Sequence, residues 1–203
     1  MTVHVYVAPG FEEVELITIV DVLRRAEIDT RMVSLTTETQ IIGSHGIAVQ
    51  ADVPFQNVAA HAPEMMTVND SLQKRRNVAA HAPEMIILPG GGPGTQAMLA
   101  HSELHSRLHA QIAAGKRVAA ICAAPMVLAQ IGLLHGKQAT CFPGCESVLQ
   151  EHGAQISAFN VVSDGLITTS RGPATAALFA LELAAQLGDE ASAKQVGRAM
   201  LYL

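Results

Sequence analysis

The first 35 residues carry hydrophobic side chains at two different spacings. Val3, Val5 and Val7 recur at every second position, as in a β-strand, and residues 14–23 then place apolar side chains at helical spacing. A second β-type run occupies residues 28–35. This order predicts a βαβ unit, in which a helix on one face of a sheet joins two parallel strands.

Strand and helix patterns continue to alternate along the chain. Short apolar runs at 41–42 and 47–49 predict a small hairpin. The later predicted strands are 85–88, 117–121, 138–141 and 166–169. Further helices are predicted after residue 91, over 126–134, over 174–187 and from about residue 191. Continuous apolar runs such as 117–121 are typical of a parallel sheet covered on both faces. The sequence therefore predicts one α/β domain over residues 1–203, with a mostly parallel sheet between two helical layers.

A nine-residue segment occurs twice. The sequence NVAAHAPEM covers residues 57–65 and returns unchanged at 77–85, and residues 66–76 between the copies resemble neither flank. One repetition is too few for a repeat architecture, which needs at least three units to close a core. We therefore predict an insertion of 20 residues around 57–76 within the single domain.

Composition and charge narrow the class of protein. Of the 203 residues, 49% are hydrophobic and 15% are charged, which fits a buried core and excludes a disordered segment or a small disulfide scaffold. The net charge of -5 leaves no basic stripe, so specific nucleic-acid binding is not expected. The three cysteines fit a reducing compartment, and the sequence has neither a basic, apolar leader nor an apolar run of about 20 residues. We expect a cytoplasmic protein without a membrane partner.

The most specific chemical signal is Cys122, which follows the predicted strand 117–121 and precedes a helix. A cysteine at such a sharp turn has the form of a nucleophile elbow, and the small residues Ala119, Ala120 and Ala123 leave room for it. The N–H groups and dipole of a helix start favour an anionic sulfur, so we expect a thiol pKa of roughly 3.5 to 7.5 instead of about 8.5. The alternative is a buried structural cysteine in an apolar strand.

Three carboxylates lie where the first predicted strand turns into the first helix, in residues 8–15 (APGFEEVE). Glu12 and Glu13 are explained by the preference of helix starts for acidic side chains. Glu15 stands beside the apolar Leu16, so we expect it to be buried under the carboxyl edge of the sheet. Burial would raise its pKa and keep it protonated, as a partner of a thiolate or as a proton shuttle.

A glycine-rich turn, LPGGGPG, covers residues 88–94. Its spacing loosely matches a dinucleotide-binding fingerprint, but it is not the first strand-to-helix turn and no acidic residue ends the next strand. The turn also lacks a phosphate-binding lysine, and we expect no cofactor. Backbone N–H groups of this loop and of Ala123 are better suited to stabilise an oxyanion.

Four segments of the chain form a recognisable set: APGFEEVE at 8–15, LPGG at 88–91, AAICAAP at 119–125 and SRGPAT at 170–175. In this order they resemble the ThiJ/PfpI superfamily, and within it the branch of the parkinsonism-associated deglycase and the bacterial YajL chaperone. The resemblance spans nearly the whole chain and implies a flavodoxin-like three-layer sandwich, a homodimer and a cofactor-free enzyme. It implies these site residues: the reactive Cys122, the protonated Glu15, the oxyanion-binding N–H groups of Gly91 and Ala123, and the pocket residues Gly90, His45, Phe142, Arg171 and Pro173.

The resemblance leaves two hypotheses for function. The first is a glyoxalase or deglycase that acts on 2-oxoaldehydes such as methylglyoxal and glyoxal, or on early glycation adducts of proteins and nucleotides. In it, the Cys122 thiolate attacks the aldehyde carbon and Glu15 moves the proton. The second is a non-catalytic sensor of oxidative stress and redox-regulated chaperone, in which the same sulfur is oxidised to a sulfinate.

The sequence departs from the resemblance at three positions. The peptidase branch carries a histidine directly after its cysteine, and Ala123 stands there in this chain, so proteolysis is not expected. Phe142 stands where some relatives have a histidine, which would leave proton transfer to Glu15. His45 stands where many relatives have an arginine, in a hairpin that in the family approaches the partner subunit's pocket.

Other reactive residues give weaker signals. His101, His105 and His109 share one helical face at metal-binding spacing, but no further ligand completes a tetrahedral set, and no metal site is expected. Cys141 and Cys145 are too far apart for a C-x-x-C pair, and Cys141 is either an ordinary thiol or a resolving thiol for Cys122. Arg171 either belongs to a helix start or helps to hold Glu15.

Overall fold

The structure is a computed structural model that describes residues 1–58 and 82–202. The described strands are β1 (Thr2–Val7), β2 (Asp29–Ser34), β3 (Gln40–Ile42), β4 (Ala48–Gln50), β5 (Val53–Pro54), β6 (Met85–Leu88), β7 (Arg117–Ile121), β8 (Gln138–Ala139), β9 (Gln155–Ile156), β10 (Val161–Asp164) and β11 (Ile167–Ser170). The described helices are α1 (Glu13–Arg25), α2 (Gly92–Leu99), α3 (Ser102–Ala113), α4 (Pro125–Gln130), α5 (Glu146–Glu151), α6 (Ala176–Leu187) and α7 (Glu190–Ala199).

A central sheet joins seven of these strands in the order β10-β11-β7-β6-β1-β2-β5. All neighbours in it are parallel except β10, which runs antiparallel to β11 at one edge. The pairs β3–β4 and β8–β9 lie outside the central sheet. The predicted α/β class and mostly parallel sheet are confirmed. Because β1, β6 and β7 are adjacent and parallel, the turns that follow them meet at one edge.

Hydrophobic side chains fill two layers, one on each face of the sheet. Alternate residues of β1 supply both layers, since Val3 and Val5 pack with α1 and α6 whereas Tyr6 packs on the opposite face. We call the layer that contains α1 and α6 the first layer, and the layer that contains α2 to α5 the second. Cys122 lies in the first layer and Cys141 in the second.

Several element boundaries differ from the sequence prediction. Helix α4 ends at Gln130 and does not reach residue 134, because the chain turns at Gly132, whose φ is +77°. The strand predicted over 138–141 is only the two-residue β8, and it pairs with β9 outside the central sheet. The 3-10 turn Pro173–Thr175 separates α6 from Gly172, so α6 begins two residues later than predicted.

The repeated nonapeptide falls largely outside the described residues. The described chain includes Asn57 and Val58 of the first copy and residues 82–85 of the second, and residues 59–81 lie outside it. The insertion and the single-domain assignment therefore stay predictions from the sequence. Within the described residues, none of the helices has the length and apolar character to cross a membrane.

Candidate active site

Cys122 lies directly after β7, in a backbone conformation that non-glycine residues rarely adopt. Its φ is +67°, which costs on the order of 1–3 kcal/mol and persists only where surrounding contacts hold it. Two backbone hydrogen bonds supply that support: Cys122 N–H donates to the Ser170 carbonyl at 2.9 Å, and Phe142 N–H donates to the Cys122 carbonyl at 2.8 Å. The predicted sharp strand-to-helix turn is therefore present, and the residue is 8% exposed.

Two backbone N–H groups point at the Cys122 sulfur. They belong to Gly91, which precedes α2, and to Ala123. Gly91 has a φ of +97°, and a side chain there would collide with the backbone of Gly10 and Glu12. Glycine is therefore required at this position, and the two N–H groups form the arrangement that was predicted to bind an oxyanion.

Glu15 lies fully buried in the first turn of α1, and its carboxyl group lies beside the sulfur. Its Oε2 accepts a hydrogen bond from Gly90 N–H at 2.8 Å. Its Oε1 is also buried and finds no N–H or O–H donor among the described residues. A Cβ on Gly90 would lie 2.5 Å from Cys122 Cβ and 2.7 Å from Glu15 Oε2, so only glycine at residue 90 allows the carboxyl group and the thiol to come together.

The surroundings raise the pKa values of both side chains. Burial raises the pKa of Glu15 to about 7, against the lowering effects of Gly90 N–H and the Cys122 thiol. This direction agrees with the prediction for Glu15. Burial and the negative charge of Glu15 raise the pKa of Cys122 to about 12, although the N–H groups of Gly91 and Ala123 lower it.

The prediction of a depressed pKa for the Cys122 thiol is therefore wrong. The helix-start argument accounts for the two N–H groups, but it omits the burial of the sulfur and the adjacent carboxylate. Beside an ionised Glu15 the thiol keeps its proton, and the sulfur becomes anionic as the proton passes to that carboxyl group.

Two loops lock together to place Glu15 at the sulfur. Glu12 caps α1, since its Oε2 accepts a hydrogen bond from Glu15 N–H at 2.7 Å. Glu12 N–H donates to the Gly90 carbonyl at 3.0 Å, and Gly94 N–H donates to the Gly10 carbonyl at 3.1 Å. The turn after β1 and the turn after β6 therefore hold the carboxyl group and the N–H groups in one rigid unit.

His45 contacts Glu13 in this structure. The buried Glu13 carboxylate accepts hydrogen bonds from His45 N–H at 2.6 Å and pairs with His45 Nδ1 at 2.7 Å. Ser44 fixes the same hairpin, since its hydroxyl donates to the Gly10 carbonyl at 2.6 Å. Glu12, Glu13 and His45 also bring three ligand atoms within 4.8 Å of one another, and they are the one residue set in the described chain that could hold a metal ion. The sequence does not predict this group, because His45 lies 32 positions after Glu13.

The other predicted pocket residues divide between two places. Phe142 is 45% exposed and its ring lies over Gly172, near the Glu15 carboxyl group, and Pro173 begins the 3-10 turn that follows. Arg171 lines a separate cavity together with Cys141. Among the described residues, neither a hydrogen bond nor an ion pair joins Arg171 to Glu15, and Arg171 has no part in the shifted pKa of Glu15, so the suggestion that Arg171 holds Glu15 is wrong.

The remaining histidine and cysteine signals are explained by local structure. His101 caps α3 through Nδ1, which accepts a hydrogen bond from Leu104 N–H at 3.1 Å, and His105 Nε2 pairs with the Met98 carbonyl at 2.9 Å. These rings therefore do not converge on a metal site. Cys141 packs in the second layer, away from the layer of Cys122, which argues against a resolving thiol at that position.

Comparison with known proteins places this arrangement in a family. The sequence profile of the DJ-1/PfpI family matches residues 1–186. The chain is 34% identical to the dj-1beta protein of Drosophila melanogaster over 197 residues, which are 97% of this chain and 95% of that protein. The crystal structure of Drosophila melanogaster DJ-1beta superposes with a TM-score of 0.86, at 32% identity and with 98% and 97% of the two chains covered.

Two further relatives have informative names. A protein of Pyrococcus horikoshii named a deglycase is 29% identical over 174 residues, covering 86% of this chain and 92% of its own. The structure titled oxidized DJ-1 of Toxoplasma gondii superposes with a TM-score of 0.81 at 29% identity, covering 98% and 97% of the two chains. On this evidence of sequence and structure, the chain belongs to the DJ-1/PfpI family.

Proposed function

We propose that this protein is a cofactor-free enzyme that uses Cys122 to convert 2-oxoaldehydes, such as methylglyoxal, to 2-hydroxy acids, or to remove the same groups from early glycation adducts. The observation that carries the proposal is the contact between a buried carboxyl group with a pKa of about 7 and a strained cysteine whose sulfur faces two N–H groups. A general acid or base works best when its pKa lies near the working pH.

The first step is addition of the sulfur to the aldehyde. As Cys122 Sγ bonds to the aldehyde carbon, its proton passes to the ionised Glu15, and the carbonyl oxygen becomes an oxyanion. The N–H groups of Gly91 and Ala123 stabilise that charge until Glu15 passes the proton on to the oxygen. The product of the step is a neutral hemithioacetal, and Glu15 is ionised again.

The later steps rearrange the hemithioacetal and add one water. Glu15 carries the hydrogen of the former aldehyde carbon, as a proton, to the neighbouring carbonyl carbon, and the hydroxyl proton moves to the neighbouring oxygen. The product is a thioester of a 2-hydroxy acid. Water then cleaves the C–S bond, releases the hydroxy acid and returns the proton to the thiol. The sum is one 2-oxoaldehyde plus one water giving one 2-hydroxy acid, so no external oxidant or cofactor is needed.

Replacement of the nucleophile tests this proposal. Cys122→Ser should abolish the loss of methylglyoxal and the formation of lactate, whereas Cys145→Ser, which removes a half-buried thiol elsewhere, should retain both. Unchanged turnover in Cys122→Ser would end the proposal. A second arm with a methylglyoxal adduct of N-acetylcysteine separates direct action on free aldehyde from action on adducts.

A peroxide sensor with chaperone activity is the second candidate. The relative titled as oxidized DJ-1 favours it, as do the two N–H groups at the Cys122 sulfur, which would bind the oxygens of a sulfinate. The raised pKa of Cys122 opposes it, because peroxide reacts with the thiolate. Mass spectrometry after mild peroxide decides: oxidation confined to Cys122 in a chain without turnover supports the sensor, and equal oxidation of all three thiols removes it.

We also propose that the protein forms a homodimer in the cytoplasm. Exposed apolar side chains support the dimer: Val14 and Ile17 project from α1, and Ile42 and Ile47 project from the β3–β4 hairpin. Gly43 of that hairpin packs against Glu13, so the two pairs of residues belong to neighbouring surface elements. A patch of this kind is typical of an interaction surface.

A further inference from the structure

A cavity separate from the Cys122 site lies in the second layer. It has a volume of about 270 Å³. Its walls come from the residues after β8, the start of α5, the end of β9 with the loop that follows it, and the residue after β11. The lining residues are Thr140, Cys141, Glu146, Ile156, Ser157, Ala158 and Arg171. Pockets for drug-sized ligands begin at about 300 Å³, so this cavity suits a smaller molecule. The cavity therefore admits a small organic molecule.

The cavity holds one positive and one negative side chain that do not pair with each other. Among the described residues, the Arg171 guanidinium forms neither a hydrogen bond nor an ion pair, and Glu146 is bonded only through Oε2, which accepts from Gly144 N–H at 2.6 Å. Both charges act on the Cys141 thiol in the cavity wall. Burial, with Cys145 and Glu146, raises the pKa of that thiol to about 12, and Arg171 lowers it.

Two separated opposite charges select a ligand that carries both. A ligand with only a carboxylate would be attracted by Arg171 and repelled by Glu146. A ligand with only an ammonium group would be attracted by Glu146 and repelled by Arg171. A molecule with a carboxylate and an ammonium group close together satisfies both side chains at once, and it retains the charge balance of the cavity. The hydroxyl groups of Thr140 and Ser157 add neutral donors and acceptors in the same wall.

We propose that this cavity binds a small zwitterion of the α-amino acid class, with its carboxylate on Arg171 and its ammonium group on Glu146. The site contains neither Cys122 nor Glu15, so this inference goes beyond the proposed function and does not depend on it.

Binding of three related probes to the full-length chain tests the proposal. The probes are L-alanine, propionate, which lacks the ammonium group, and ethylammonium, which lacks the carboxylate. Titrations followed by amide NMR of the ¹⁵N-labelled protein should show L-alanine shifting Cys141 and Ser157, with an affinity at least tenfold higher than either single-charge probe. Equal affinity for L-alanine and propionate would overturn the proposal, as would shifts confined to other parts of the chain.

Charge variants assign the two groups. Arg171→Gln should weaken binding of L-alanine at least tenfold and abolish binding of propionate. Glu146→Gln should weaken L-alanine at least tenfold but strengthen propionate, a gain that a general loss of structure would not produce. Arg198→Gln and Glu151→Gln, at exposed positions on α7 and α5, are the matched controls and should bind as the parent does.

The same titration in Cys122→Ser separates this proposal from the catalytic one. Binding of L-alanine in a chain without turnover supports the zwitterion site alone. Loss of L-alanine binding in Glu146→Gln with methylglyoxal turnover retained supports both proposals. Failure of L-alanine to bind the parent chain rejects the cavity proposal and leaves the proposed reaction standing.

Discussion

At the scale of single residues, Glu15 sets the chemistry of Cys122 through charge. Its negative charge raises the pKa of the thiol, and its own pKa of about 7 makes it the proton acceptor near neutral pH. The ionised carboxylate therefore disfavours the thiolate form of Cys122 in the resting protein, and in the proposed reaction it accepts the proton as the sulfur attacks. These two effects can be separated, because removing the charge should change them in opposite directions.

Glu15→Gln should lower methylglyoxal turnover by about 10²–10⁴-fold, the usual contribution of a general acid or base. The same change should lower the pKa of Cys122 and speed its alkylation by iodoacetamide at pH 8, because the repelling charge is gone. In the parent protein kcat/KM should rise with pH through about 7 as Glu15 ionises, and this rise should vanish in the variant.

Exposed Glu151→Gln is the control for loss of one carboxylate, and it should match the parent in turnover and in alkylation. Slower alkylation in Glu15→Gln would contradict the charge argument. Turnover within threefold of the parent would contradict the assignment of Glu15 as the proton acceptor.

Gly90 matters through the space that it leaves empty. In Gly90→Ala the new Cβ would lie 2.5 Å from Cys122 Cβ, so the thiol or the carboxyl group must move. We expect a stability loss of about 1–3 kcal/mol, typical of overpacking, and turnover reduced at least tenfold. Thermal unfolding and methylglyoxal kinetics measure the two effects.

Gly92→Ala provides the comparison, because a Cβ at residue 92 meets nothing within 4 Å. It should keep the activity of the parent and unfold at a similar temperature. Equal damage from both substitutions would show that the glycine loop acts through backbone freedom rather than through the space beside the sulfur.

Local sequence predicted the positions of Cys122 and Glu15 better than it predicted the ionisation of the thiol. The small residues around Cys122 predicted its turn, and the apolar Leu16 beside Glu15 predicted that Glu15 is buried. The ionisation of the thiol was predicted wrongly, because a helix start is visible in a sequence whereas the distance between a sulfur and a carboxylate 107 positions away in the chain is not. The place of Arg171 in a cavity with Cys141, 30 positions away in the chain, could not be predicted for the same reason.

At the scale of elements, periodicity predicted the structures that bury a full face. Helix α1, with 13 residues, and strand β1, with six, show clear patterns of apolar spacing. The strands and the helix α5 missing from the prediction are short: β5 and β9 have two residues each, β10 has four and α5 has six. Segments of this length show no measurable period, and their form depends on partners distant in the sequence.

The repeated nonapeptide lies in the connection between β5 and β6, and its deletion can be tested. Deletion of residues 57–76 joins Gln56 to Asn77. Because residues 77–85 repeat residues 57–65, Gln56 is still followed by Asn-Val, and the chain from Ala82 onward is unchanged. In the shortened chain, Val78 takes the place of Val58 after the 3-10 turn, and the three residues Ala-Ala-His connect it to Ala82. This connection can span at most about 14 Å. We expect the shortened chain to fold with turnover within twofold of the parent and with slightly higher stability, since a shorter loop costs less entropy to close.

Circular dichroism, thermal unfolding and methylglyoxal kinetics compare the two chains. Deletion of residues 66–76 alone, which keeps both copies of the nonapeptide, is the matched control and distinguishes the length of the insertion from the duplication itself. Loss of β6, seen as a collapse of stability in the shortened chain, would show that the inserted residues are needed to reach the sheet.

At the scale of the whole molecule, the apolar residues on the outside of α1 require explanation. Val14 is 54% exposed and Ile17 is 48% exposed, yet they flank Glu15, which is the most buried acid in the described chain. The exposed face of α1 therefore lies one residue away from Glu15, which contacts Cys122. If a second copy covers that face, dimer formation and the active site share one helix, and changes at the interface reach Glu15 directly.

Val14→Asp tests the homodimer proposal through that face. Because the side chain is exposed in the single chain, the substitution should change folding stability by no more than about 0.5 kcal/mol. Burying an unpaired carboxylate in a dimer interface costs far more, so sedimentation velocity should show the variant as a monomer at concentrations where the parent is a dimer. Leu201→Asp, at a position 90% exposed near the other end of the chain, should leave the parent's oligomeric state unchanged. A parent that sediments as a monomer, or a Val14→Asp variant that remains dimeric, would show that α1 is not the interface, and the exposed apolar side chains would then be left for another partner.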